Sequence, residues 1–171
     1  MSILIKNKEE QKKLMELFFR KQRNGIRPKT IDLKEVYFEE LVKVFKKQLR
    51  EEIRMEKRGN YVDIYTLSGT LHIRLRSDQV PYPTLVIASF TIKGDDNQRT
   101  EENFFNWLKK FSTQTGFQRL MLENCHSNES TSFARKYGFL PLYQQTVPGL
   151  DFIFEESYEM YLDASLIKQI R

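Results

Sequence analysis

The sequence predicts an α/β (α+β) domain in which a mixed central sheet is flanked by helices. Three observations predict it. Apolar residues fall at helical spacing through much of residues 1–57, the period changes to two from Tyr61, and Gly116–Phe139 reads as strand, polar turn, short helix and Gly-Phe stop. At 171 residues, 40% hydrophobic and 30% charged, the chain suits one domain with a substantial core. That domain divides into a basic helical part over 1–60 and a sheet-bearing part over 61–162.

Ser2–Lys6 is a possible first strand. Asn7 with Glu10 has capping-box spacing, Leu14, Leu17 and Phe18 form an apolar stripe, and Gly25 ends that helix. After the breaker segment Arg27–Thr30, Asp32 and Glu35 repeat the capping logic. Leu33, Val36, Tyr37, Leu41, Val44, Phe45, Leu49 and Ile53 then predict a second helix to about Lys57, stopped by Gly59-Asn60, with Lys43, Lys46, Lys47 and Arg50 outside.

Next, YVDIYTL, a Ser68-Gly69 turn, and Leu71, Ile73 and Leu75 alternating with His72, Arg74 and Arg76 predict an antiparallel hairpin with one wet face. His72 is expected to face solvent. Pro81 and Pro83 break the hairpin, and the more continuously apolar Thr84–Lys93 is expected to be a central strand. Thr100 can cap the helix whose buried stripe is Phe104, Phe105, Leu108 and Phe111, with Trp107 as core bulk.

In Gly116–Phe139, Leu120–Leu122 is the strand and Ser127 or Asn128 the cap. Phe133 and Tyr137 share one helical face, Arg135 and Lys136 suit the helix C-terminus, and Gly138 suits a left-handed stop with Phe139 packing back. A strand around Leu140–Thr146, a Pro148-Gly149 turn and the aromatic stretch Asp151–Leu162 follow. Phe152, Phe154, Tyr158 and Tyr161 suit either core packing or a homodimer edge.

Composition bounds the function. No apolar run approaches the roughly 20 residues of a membrane helix, and the N-terminal apolar segment is too short for a secretory signal. Cys125 is the one cysteine, which fits a reducing, cytoplasmic setting. With only His72 and His126 beside it, no dedicated metal site is expected. Cys125 and His126 are neighbours without an identifiable third member, which does not make a catalytic dyad. The net charge of +5 is uneven: residues 1–60 hold 17 Lys and Arg against 10 Asp and Glu, and the remainder 11 against 13. Such a basic part either steers an acidic protein or nucleic acid, or simply solvates two helices.

The order of elements, the central strand TLVIASFTIK, the segment LMLENCHSNESTSFARKYGF and the final SYEMYLD resemble the GNAT superfamily of acyl-CoA-dependent N-acyltransferases, best over Leu85–Leu162. The resemblance implies acetyl-CoA as cofactor, with pantetheine amides pairing with central-strand backbone at Phe90 and Ile92. It implies pyrophosphate held by a loop and helix start at Arg99 and Thr100, with Ser127 at the family's Asn position as a catalytic candidate and Asn128, one residue on, as a cofactor contact. Glu123, at a strand end beside the expected cleft, is the candidate base that strips an ammonium proton; the alternative is a solvated strand-end carboxylate. Two departures accompany the resemblance. In the register starting at Arg99, Glu102 and Phe104 stand where the family has glycines that let backbone approach phosphate. Ala134 stands where the family's thiolate-protonating Tyr is expected. The implied function is a divergent member with weakened or lost acetyl-CoA binding, acting as a binding or regulatory module. The alternative is an active N-acetyltransferase acting on an amine of a small molecule or protein.

Overall fold

The computed structural model describes residues 13, 16, 31–79, 83–123, 125, 127–141 and 157–162. Seven strands form one sheet: β1 (Arg54–Arg58), β2 (Tyr61–Tyr65), β3 (Leu71–Asp78), β4 (Thr84–Ile92), β5 (Arg119–Leu122), β6 (Leu140–Pro141) and β7 (Tyr158–Tyr161). Helices among residues 31–162 that the structure describes are α1 (Glu39–Leu49, entered through a 3₁₀ turn at Glu35–Phe38), α2 (Asn97–Thr115) and α3 (Asn128–Lys136). The sheet order is β1-β2-β3-β4-β5-β7-β6. Neighbours are antiparallel except β4 and β5, which run parallel through the α2 crossover. Of the predicted first helix only Lys13 and Glu16 are described, both helical and exposed, and the predicted first strand, the Pro148-Gly149 turn, Phe152 and Phe154 lie outside the described residues.

β4 is the middle strand, as its continuous apolar run predicts, and Leu85, Val86 and Ile87 are fully buried. A bulge controls which way its later residues point. Arg74 pairs with Ser89 and Leu75 with Ile87, so Ala88 is the extra residue. Leu85 and Ile87 before it, and Phe90 and Ile92 after it, therefore all join the core, while Ser89 turns to the opposite face. The core is one cluster in which α1, α2 and α3 meet the sheet: Phe104 lies near Phe45, Phe90, Trp107 and Phe133, and Phe38 near Phe111. The buried stripe predicted for α2 is observed, and Lys43, Lys46 and Lys47 are exposed on α1.

The helix predicted from Asp32 to about Lys57 is shorter. Arg50 ends it in the left-handed conformation at φ 55 and donates its N–H to the Lys46 carbonyl. Residues Arg54–Arg58 instead form β1, so the sheet starts before Tyr61. Apolar residues at Ile53 and Met55 suit a strand as well as a helix. Gly59 (φ +59) and Asn60 make a two-residue hairpin turn rather than a helix stop, because Arg58 pairs with Tyr61 across them. Asp32 is not a cap: its carboxylate accepts from Lys57 Nζ of β1 at 2.8 Å. Val36 and Leu67 are exposed. Thr100 lies within the first turn of α2, whose N-cap is Asp96.

The stretch 116–139 folds as its pattern predicts. Ser127 caps α3, its Oγ accepting from the Ser130 N–H at 3.1 Å. At the other end, Phe139 N–H donates to the Ala134 carbonyl and Gly138 N–H to the Arg135 carbonyl, with Gly138 at φ 80. This is the paired bonding of a Schellman stop, and the positive φ is what calls for glycine there. Phe139 packs back on Phe133, with ring centroids 6.1 Å apart.

Candidate ligand cleft and the polar face of the sheet

β4 and β5 pair only over Thr84–Ile87 and Arg119–Leu122. One further bond, Glu123 N–H to the Ile87 carbonyl at 3.0 Å, closes the pairing. Beyond it β4 runs on to Ile92, and among the described residues its paired neighbour there is β3. The pairing of these two parallel strands thus ends where the bulge at Ala88 begins, and each strand leads towards a helix. Ligands of α/β proteins commonly bind at such ends, where helix N-termini offer free N–H groups to anions.

The order of the seven strands, with one parallel pair at the centre and β7 inserted antiparallel between β5 and β6, decides the architecture. It is the mixed, helix-flanked sheet that the sequence predicts. No family model matches the sequence, and no curated protein matches it. Among solved structures the chain is similar to a GNAT-family acetyltransferase from Staphylococcus aureus Mu50, at 14% identity and TM-score 0.43, covering 95% of this chain and 98% of that one. It is similar to a probable GNAT-family acetyltransferase from Chromobacterium violaceum at 11% identity and TM-score 0.43, covering 65% of this chain and 63% of that one. It is also similar to a Bacillus subtilis acetyltransferase in complex with CoA, at 13% identity and TM-score 0.36, covering 73% and 83%.

Within this frame the residues singled out in the sequence take distinct places. Phe90 and Ile92 are buried, so only their backbone can face a ligand lying along β4. Arg99 is exposed in the first turn of α2. Thr100 is buried there, and its Oγ1 donates to the Asp96 carbonyl at 3.2 Å. Asp95 and Asp96 are exposed at the same helix end, placing two carboxylates beside Lys93 and Arg99. Glu102 and Phe104 are the sixth and eighth residues of α2, the first exposed and the second in the core. They follow, by two and four residues, the last of the four N–H groups that open the helix. Ser127 is occupied as the cap, and Asn128, the first residue of α3, is exposed.

Glu123 is not a solvated strand-end carboxylate. Arg76 holds both of its oxygens, donating from Nη1 to Oε2 at 3.1 Å and from Nη2 to Oε1 at 2.6 Å. Asp78 grips the same guanidinium through Nε and Nη2 at 2.8 and 2.7 Å. Hydrogen bonds that Arg76 donates to Asp78, more than offsetting burial, with those it donates to Glu123, hold its pKa above the ordinary value. Ala134, at the expected Tyr position, is fully buried. The nearby Tyr137 stacks on Phe105 at 4.3 Å, and its buried hydroxyl makes no hydrogen bond. Burial pushes that hydroxyl's pKa up.

The wet face predicted for the β2–β3 hairpin is present, and it carries a cluster around Asp63 that the sequence did not single out. Asp63 is 7% exposed on β2 and accepts from Arg74 through Nε at 2.8 Å and Nη2 at 3.2 Å. His72 is not merely solvent-facing: Nε2 lies 3.2 Å from Asp63 Oδ1, and Nδ1 lies 3.3 Å from Ser89 Oγ. An open cleft of about 370 Å³ runs over this region, lined in part by Glu56, Arg58, Tyr65, His72 and Arg74. The Asp in the alternating run YVDIYTL was the available signal, since a carboxylate in mid-strand must find partners across the ladder.

Burial pushes the Asp63 carboxyl up, but the bonds from Arg74 and His72 outweigh it and hold the pKa below the usual carboxylate value. A carboxyl lowered in the folded state contributes stability that is fully present above its unfolded pKa, about 3.9. That contribution is lost as pH falls through the folded value. Asp63→Asn is therefore expected to flatten the acid limb of stability below about pH 4. Urea midpoints from pH 6 down to pH 2 check this; an unchanged acid limb would contradict it.

Among the described residues no helix is long and apolar enough to cross a membrane. No group of three or more His, Cys, Asp or Glu among them is placed to hold a metal ion. His126 lies outside the described residues. Cys125 is buried, with Sγ 3.8 Å from the Leu122 carbonyl, and Tyr158 and Tyr161 are buried.

Proposed function

We propose that this chain is a divergent, acetyltransferase-like protein of GNAT-like fold that keeps the cleft for a CoA-type ligand but has lost the usual N-acetyltransferase chemistry, and serves as a binding module. The observation that carries this reading is the state of Glu123. A general base must offer a lone pair to the proton it removes. Arg76, itself held by Asp78, engages both Glu123 oxygens and pins the carboxylate against the sheet, so that although each oxygen keeps a second lone pair it is not free to swing to a substrate amine. Ser127 is likewise spent on capping α3. At the α2 N-terminus, Asp95 and Asp96 weaken any pull on a pyrophosphate, since like charges about 4 Å apart cost roughly 1 kcal/mol in water and more in a drier site.

In this reading Phe90 and Ile92 backbone, Arg99, Thr100 and Asn128 mark where acetyl-CoA would lie, with reduced affinity. The exposed Lys43, Lys46 and Lys47 of α1 supply a face for an acidic protein or nucleic-acid partner. An active N-acetyltransferase is the competing reading, favoured by the open C-terminal half of β4.

Titration with acetyl-CoA, by calorimetry and thermal shift, separates the two. A single-site ligand at 100 times its dissociation constant stabilises by about 2.7 kcal/mol. The expected result is no saturable binding in the micromolar range. Micromolar affinity, with acetyl transfer to amines, would sink the binding-module reading.

A further inference from the structure

Three side chains from three neighbouring strands form a chain of hydrogen bonds on the polar face: Ser89 of β4, His72 of β3 and Asp63 of β2. Their placement follows from the ladder. Asp63, Arg74 and Ser89 are direct cross-strand partners in one row, and His72 lies in the next row, opposite Tyr65 and Thr91. The Ala88 bulge is what turns the Ser89 hydroxyl towards His72; unbroken alternation from Ile87 would have placed it in the core.

The roles of the two imidazole nitrogens follow from their partners. An ionised Asp63 can only accept, so Nε2 carries the hydrogen and Nδ1 keeps its lone pair. Nδ1 is then the acceptor for the Ser89 O–H. Arg74, bidentate on Asp63, fixes the carboxylate that orients the ring. A hydroxyl within reach of a base, with the base oriented by a third group, is the arrangement that activates a serine. Its distances of 3.2 and 3.3 Å are at the loose end for catalytic hydrogen bonds, as ligand-free sites often are. Ser89 and His72 are both partly exposed, and the cleft opens beside His72.

We propose that Ser89 is an activated nucleophile that accepts an acyl group from a thioester or activated ester. Ser89 Oγ bonds to the acyl carbon as its proton passes to His72 Nδ1. The carbon–sulfur or carbon–oxygen bond to the leaving group breaks, and His72 returns the proton to the departing thiolate or alkoxide. Water then attacks the acyl-serine, giving its proton to His72, and the acid leaves as Ser89 recovers the hydrogen. No oxidant or metal enters. This activity uses neither Glu123 nor the α2 N-terminus, so it stands whether or not acetyl-CoA binds.

The test uses the intact wild-type protein and p-nitrophenyl acetate. A burst of p-nitrophenolate is expected, with an acetyl adduct that peptide mass spectrometry maps to Ser89. Ser89→Ala should remove both burst and adduct. His72→Gln, with folding checked by its thermal midpoint, should slow acylation by about 100-fold or more, the usual worth of a positioned base. Absence of an adduct on Ser89 in the wild type overturns the proposal without recourse to any variant. So does a Ser89 adduct that forms as fast in folded His72→Gln as in wild type.

Discussion

Phe104→Ala is expected to destabilise the protein by about 3–5 kcal/mol, the usual cost of emptying a large aromatic site in a core. Phe104 is fully buried, and its ring lies 6.1 Å from Phe45, 6.0 Å from Phe90, 6.5 Å from Trp107 and 6.1 Å from Phe133. It therefore joins α1, α2, α3 and β4, and no single neighbour can move in to fill the space without leaving another contact. Urea unfolding measures the effect as a shift of the midpoint at constant slope. A loss below about 1 kcal/mol would show that the site collapses freely and that this cluster is not the centre of the core. The same variant bears on function. Because the ring points into the core, truncating it should not create affinity for acetyl-CoA, whereas a ring blocking a phosphate loop would release some.

The second large effect concerns charge buried within the sheet. Arg119 of β5 donates from Nη1 to Glu159 Oε2 of β7 at 3.0 Å and from Nε to Thr84 Oγ1 of β4 at 3.1 Å. Tyr161 O–H donates to the same Glu159 oxygen at 3.3 Å. Arg119 is 8% exposed and Glu159 3%, so each ion has given up most of its hydration. Removing one partner from a buried pair typically costs about 3–5 kcal/mol, because the other charge remains in a poorly solvated place. Arg119→Met and Glu159→Leu are each expected to show such a loss at neutral pH. The double variant should lose less than the two singles combined, since replacing both ions with apolar groups is often close to neutral. Strict additivity in the unfolding free energies would mean that the two side chains do not depend on each other.

These residues also mark how far the sequence could be read. Gly116–Phe139 was legible because everything that shapes it is local. A cap accepts from a residue three along, a Gly-Phe stop closes over one turn, and Phe133 and Tyr137 meet through helical spacing alone. The hairpin of β2 and β3 was legible for the same reason: alternation and a short Gly turn determine both register and face. The strand β1 was not. Ile53 and Met55 fit a continued helix as well as a strand, and the choice rests on five backbone pairings to β2 that no periodicity reports.

For the candidate site the division is sharper. Glu123 was found as a strand-end carboxylate beside a cleft, but its partner Arg76 is 47 residues away in the chain. Whether that carboxylate is a free base or half of a clamp depends on β3 and β5 lying on either side of β4. Ser89, His72 and Asp63 stand at alternating positions of three strands that each read as ordinary. Only the bulge at Ala88, visible as a slip in pairing between β3 and β4, places the hydroxyl and the imidazole on one face.

What the sequence determined by itself is therefore the class of fold, the middle position of β4, and the caps and stops of α3, since these follow from short-range spacing and backbone bonding. The tertiary structure alone decided where α1 yields to β1, which carboxylates are held, and which side chains meet across the sheet. Those outcomes depend on register between segments distant in the chain, where a one-residue slip reverses the face that a side chain presents.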